Sequence, residues 1–422
     1  MKRLEYPRLG EQLICFTMEN GLTVKIVPRP GFSRKMAYFT ADFGSVHTDF
    51  SLEGRQIHAP AGIAHFLEHK MFELPGRDVS EEFAALGANV NAFTSYDMTA
   101  YFFSCTRNFE ESLRLLLEFV STPYFPEESV QRELGIIDQE IGMSTDSPDS
   151  RVFEELMKAM YPSHPIRVPI LGSSESLRQI TPELLCDCHR AFYSPANMVL
   201  CIVGDVDADR VKTIAQEVLG REKKERGVKL RPWQEEMTCK ERLTRLSMDV
   251  ASPMFQLGYK CEPVETGERG IRQEIIGDLA AEALFGESSP LYLELYGKGL
   301  IDSSFGGGFE AVDGCALLTC GGDSESPEAV RDAITARAGI VVREGIRSED
   351  LLRMKRSAIG RRVRDLDSFD STCFRVSACH LTGFDYFRFP EVYETVTAED
   401  VREFLARTVT EDRCALAVVE PT

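Results

Sequence analysis

The stretch GIAHFLEHKMFE (residues 62–73) sets two histidines four residues apart and puts a glutamate directly before the second. On a helix, His65 and His69 project from one face, and Glu68 flanks them within a quarter turn. Leu67 points the opposite way, toward a core. Two neutral imidazoles on one face can hold zinc, and a neighbouring carboxylate can take a proton from water. The order His-x-x-Glu-His inverts the common metalloprotease helix. Five residues with three fixed positions also arise on solvated helices, so the surrounding sequence has to decide.

A catalytic zinc takes three protein ligands. The segment 127–143 reads as a helix with an apolar stripe of Val130, Leu134, Ile137 and Ile141. Glu133 and Glu140, seven apart, share a flank beside that stripe and are placed to reach across a packed interface. The periodicity treats the two glutamates alike and does not choose between them.

At 422 residues, two domains are expected. Composition is that of a soluble globular chain, 43% hydrophobic and 27% charged. No apolar run approaches the roughly 20 residues of a membrane helix. The longest, MVLCIVG near residue 200, has the length of a buried strand, and the N-terminal residues do not read as a signal peptide. Twelve cysteines without framework spacing imply free thiols in a reducing cytoplasm. That includes Cys186 and Cys188, which do not face each other on a helix. A net charge of −19 with no basic stripe argues against nucleic acid and favours cationic ligands, basic peptides among them.

Strands are expected at 22–28, 36–44 and in NMVLCIVGDV, a hairpin around Tyr96-Asp97, and helices near 108–121 and 127–143. The charged segment 221–236 is the best linker. It divides the chain into an N-terminal domain (1–220), a linker (221–240) and a C-terminal domain (241–422). The order of elements recurs at a shift of 221, which sets Glu349 on Glu128, Leu351 on Val130 and Arg361 on Glu140. The second half therefore repeats the architecture without a metal ligand at that position.

GIAHFLEHKMFE, NAFTSYDMTAYFFS, ELGIIDQE, LGSSESLRQIT and YSPANMVLCIVGDVD occur in an order that resembles the pitrilysin, insulin-degrading-enzyme and mitochondrial-processing-peptidase family of zinc peptidases. The likeness spans nearly all of the first domain, and the chain length is similar to that of the small bacterial members. It implies an α+β fold of two similar domains, each a mostly antiparallel sheet with helices on one face, forming half of a clamshell. It also implies one Zn2+ per chain, held by His65, His69 and Glu140. Glu68 would be the general base that activates water, and Glu133 a supporting carboxylate. Asn91, Ala92, Phe93 and Thr94 would form the edge strand on which a peptide substrate adds.

One departure stands out. The family's C-terminal domain supplies an Arg and a Tyr seven apart, but in SSPLYLELYGKGLIDSSF Tyr296 stands at the Arg position and Asp302 or Ser303 at the Tyr. The expectation is a zinc endopeptidase for unfolded peptides that works in a dimeric chamber, with a paralogous partner supplying the Arg/Tyr pair, or else as a homodimer. The competing expectation is a non-catalytic structural or chaperone-like subunit. Intact His65, Glu68, His69 and Glu140 argue against it.

Overall fold

A computed structural model describes residues 1–220 and 228–422. Its core element is the strand Met198–Gly204, all seven residues of which are buried. A continuous apolar run of this kind belongs to a strand covered on both faces. It pairs in parallel with Thr23–Pro28 and antiparallel with Lys35–Ala41. Around it runs a seven-stranded sheet in the order Lys2–Tyr6, Glu11–Thr17, Thr23–Pro28, Met198–Gly204, Lys35–Ala41, Thr99–Cys105, Ala88–Thr94. Every other neighbouring pair is antiparallel. The expected hairpin at Tyr96-Asp97 joins the last two strands, which leaves Ala88–Thr94 at an edge.

One face of this sheet packs into a core with the helices Ile63–Lys70, Phe109–Ser121, Glu127–Thr145, Pro182–Phe192 and Ala208–Leu219. Phe109–Ser121 contributes Leu113, Leu116, Leu117 and Val120 at helical spacing. The opposite face carries Met36, Tyr38, Val199, Cys201 and Val203, all buried. The helix Phe369–Leu381 covers it, and Cys373 lies over the Cys201 carbonyl.

A five-stranded sheet repeats the pattern in the order Leu243–Met248, Cys414–Pro421, Met254–Cys261, Cys315–Asp323, Gly306–Val312. Its first pair is parallel and the rest are antiparallel. The helices Glu127–Thr145 and Ser348–Asp365 begin 221 residues apart, as do Pro148–Met160 and Phe369–Leu381. The shift read from the sequence is therefore a repeat of structure.

The two compact units are not continuous in sequence. One comprises Met1–Ile141, Pro169–Arg231 and Arg362–Arg388; the other comprises Gly142–Val168, Pro232–Arg361 and Phe389–Thr422. This differs from a single division at 221–240. The equivalent helices Pro148–Met160 and Phe369–Leu381 are exchanged, each packing on the sheet of the other half of the sequence. Of the expected linker, residues 221–227 lie outside the described residues. Val228–Leu230 adds to a small sheet beside Asp49–Leu52 and so belongs with the first unit. Among the described residues no helix is long and apolar enough to cross a membrane. All twelve cysteines are free.

Candidate metal centre

The helix Ile63–Lys70 starts at Gly62, whose φ of 90° lies in the left-handed region. A Cβ there would come within 2.5 Å of the Leu171 carbonyl oxygen, so glycine is required for the helix to enter at this angle. Leu67 and Phe66 are fully buried and anchor the helix to the core. The His65 and His69 rings lie side by side, centroids 4.6 Å apart and tilted 59° to one another.

Glu127–Thr145 supplies the carboxylates. Val130 and Ile137 are buried, Leu134 and Ile141 pack against the same core, and this seating turns Glu133 and Glu140 toward the two histidines. The structure separates what the sequence left equal. Glu140 Oε2 lies 3.7 Å from His65 Nε2 and 3.7 Å from His69 Nε2. Glu133 Oε1 instead accepts a 3.0 Å hydrogen bond from His69 Nδ1. That bond fixes His69 as the Nδ1–H tautomer and leaves its Nε2 lone pair toward Glu140.

The donor set fits a zinc ion. Glu140 Oε2 lies 3.7 Å from each imidazole nitrogen, beyond hydrogen-bond reach, and the three ligand atoms all lie within 4.8 Å of one another. Ligands about 2.0–2.1 Å from a tetrahedral ion sit roughly 3.4 Å apart, so a small contraction would close the shell. Among the described residues, this is the one group of three or more His, Cys, Asp or Glu side chains able to hold a metal ion. His65 Nδ1 is buried without a hydrogen-bond partner among the described residues.

The electrostatics follow burial. Desolvation, with the charge of His69 adding to it, lowers the His65 pKa to about 4, so this imidazole stays neutral and free to ligate. Burial would lower His69 as well. The bond to Glu133 and the charges of Glu140, Glu68 and Glu133 outweigh it and raise the value. Glu68 is 8% exposed, and desolvation raises its pKa even though it accepts a 2.7 Å hydrogen bond from Thr94 Oγ1.

The edge-strand residues are divided in their contacts. Thr94 reaches the site through Glu68. Phe93 lies against Tyr38, Phe102 and Phe374, while the Asn91 side chain accepts from the Ala92 amide. Tyr296, in the other unit, is exposed on the helix Pro290–Gly297 and stacks on Tyr292. Asp302 accepts from the Ser304 amide and hydroxyl. Sequence reasoning missed Lys70, buried beside Glu73, Ser129 and Glu133. A lysine inside an otherwise apolar KMF run was its only signal. It also missed the Thr94–Glu68 bond, because nothing in the spacing links a strand residue to a helix residue 26 positions earlier.

An inverted His-x-x-Glu-His helix joined by a carboxylate from a second helix defines one class of metallopeptidase. Residues 57–174 match the family model for insulinase, peptidase family M16, and residues 179–358 match the M16 inactive-domain model. The chain is 36% identical to the zinc protease YmfH of Bacillus subtilis, covering 100% of this chain and 99% of the relative. It is 34% identical, with a TM-score of 0.94, to the solved structure of an M16-like peptidase from Alicyclobacillus acidocaldarius, covering 99% of this chain and 100% of that one. Pitrilysin shares the fold at 16% identity and a TM-score of 0.78, covering 98% of this chain and 45% of pitrilysin. The chain belongs to the insulinase family, peptidase family M16.

Proposed function

We propose that the chain is a zinc-dependent endopeptidase for unfolded peptides, with His65, His69 and Glu140 holding one ion and Glu68 acting as general base. The observation that carries this reading is the convergence of two histidines and Glu140 at 3.7 Å beside a buried glutamate that is not needed as a ligand. The zinc-protease name of the Bacillus subtilis relative supports it. When bound, zinc supplies Lewis acidity that acidifies water and polarises the scissile carbonyl.

The chain's own groups do the rest. Thr94 holds Glu68 Oε2, which leaves the other oxygen to accept the proton of the attacking water and return it to the leaving amine. Burial raises the Glu68 pKa toward the working pH, where a base transfers protons most effectively. Glu133 orients His69. The Ala88–Thr94 edge offers unpaired backbone groups to an incoming strand, and Thr94 couples that strand to the base.

The reading extends to assembly. Tyr296 and either Asp302 or Ser303 stand where the family's Arg and Tyr are expected, so the chain works in a dimeric chamber with a paralogous partner that supplies them. Its span of 45% of pitrilysin supports a role as one half of a larger enclosure. An excess of acidic over basic residues favours cationic peptides, and twelve free thiols favour the cytoplasm. The same departure at Tyr296 favours the second reading, a non-catalytic subunit.

The test is a peptidase assay on the zinc-loaded chain with and without a paralogue carrying the Arg/Tyr pair. We expect about one zinc per chain, lost in His65→Ala, and cleavage only in the mixture. Brisk cleavage by the chain alone refutes the need for a partner. Zinc binding with no cleavage in any mixture favours the non-catalytic reading.

A further inference from the structure

Lys70 is buried to 1% exposure, and burying an ammonium group is costly unless it is fully paired. Its nitrogen lies 2.6 Å from Glu73 Oε2, donates to Ser129 Oγ and stands 3.9 Å from Glu133 Oε2. Ser129 in turn donates to Glu73. Glu73 is 35% exposed and also faces Arg132 at 3.7 Å. Glu73 and Ser129 are the hydrogen-bonded partners of the ammonium, but Glu73 is itself partly in water and shared with Arg132, so it offsets the charge only in part.

Glu133 adds a second, longer-range ionic partner on the side of the histidines. One of its oxygens is committed to His69 Nδ1 at 3.0 Å, and the other faces the ammonium. The carboxylate is thus stretched between an imidazole and a fixed cation that follows His69 directly in sequence. Three carboxylates, Glu68, Glu133 and Glu140, act on the histidines, and Lys70 is a buried positive charge beside Glu133.

We propose that Lys70 is a positioning residue of the metal centre: its ammonium holds Glu133 against His69 and so aims His69 Nε2 at the ion. The inference rests on the zinc-site reading above but not on peptidase activity. Lys70 touches no ligand atom and acts through Glu133. Removing it frees the carboxylate to swing, and His69 loses the fixed tautomer and tilt that ligation needs.

The experiment measures zinc affinity by chelator competition in the intact chain, together with the visible spectrum of the cobalt-substituted protein. Lys70→Met is expected to weaken zinc binding about 10- to 100-fold, close to Glu133→Gln, and to alter the cobalt bands. The double variant should bind no more weakly than Glu133→Gln alone, because the two residues act in series. Glu73→Gln is the structural control: it removes the other partner of Lys70, lowers thermal stability and leaves zinc affinity near wild type. If Lys70→Met does not fold, Lys70→Gln carries the same comparison with a side chain still able to bond Ser129. Wild-type affinity in the folded variant, or losses that multiply in the double variant, overturns the proposal. A wild-type chain that binds no zinc overturns the metal-centre reading, and this proposal with it.

Discussion

His189 should make the first unit acid-labile in a way that one substitution removes. It lies on the helix Pro182–Phe192, 7% exposed, stacked on Tyr193 with ring centroids 4.9 Å apart. Its Nε2 donates to the Val120 carbonyl at 3.0 Å, one of the last carbonyls of Phe109–Ser121, which have no partner within that helix. Burial lowers its pKa from 6.5 to about 4. Because the folded value lies below the unfolded one, the unfolded chain holds the extra proton between the two. The stability contribution is full above about 6.5 and is lost as pH falls toward 4. A shift of this size corresponds to roughly 3 kcal/mol across that window. His189→Gln keeps a donor for Val120 and removes the titration. Urea midpoints measured from pH 7.5 to 4 should fall more steeply for wild type than for the variant, with the difference opening below 6.5. Imidazole NMR should give His189 a pKa near 4. Parallel curves, or a ring that titrates near 6.5, refute the reasoning.

Three further outcomes follow from the site. Glu68→Gln should retain zinc while cleavage falls about 10²- to 10⁴-fold, the usual contribution of a general base; retained turnover assigns the base elsewhere. Thr94→Val removes a hydrogen bond that favours the ionised form of Glu68, so its pKa rises further. A bond to a charged group is worth about 1.5–3 kcal/mol, so the acid limb of kcat/KM should move up by about one to two pH units, with little change on the plateau; an unmoved limb refutes the link. Gly62→Ala forces a Cβ onto the Leu171 carbonyl at a left-handed φ and should cost about 1–3 kcal/mol in a thermal melt, with weakened zinc binding. A melt within experimental error of wild type would show that this helix entry is not constrained.

The sequence made the local elements legible because their signals are local. The alternating hairpin around Tyr96-Asp97, the stripe of Val130, Leu134, Ile137 and Ile141, and the His65–His69 spacing each follow from one period. The two roles of Glu133 and Glu140 were not legible from spacing. They differ only in which atom of a second helix each one meets, and family resemblance had to separate them. The sequence places Thr94 on the substrate strand alone; its bond to Glu68 depends on the distance between a strand and a helix, which no periodicity encodes. Lys70 was hidden for the same reason, since beside its local partner Glu73 it meets Ser129 and Glu133, some 60 residues away. The exchanged helices broke the contiguous division because amphipathic periodicity reports that a helix has an apolar face, not which sheet receives it.

That exchange also sets a timetable for synthesis. The face formed by Tyr38, Val199, Cys201 and Val203 is complete once Gly204 has left the ribosome, but its cover ends at Leu381. At about 5–20 residues per second, the apolar face stays bare for roughly ten seconds or more. During that interval the nascent chain presents a sticky sheet with no partner of its own. A gene cut after residue 220 makes the interval permanent: the fragment would carry His65, His69 and Glu140 yet collect in inclusion bodies. Supplying residues 362–388 as a separate peptide is the natural way to recover it.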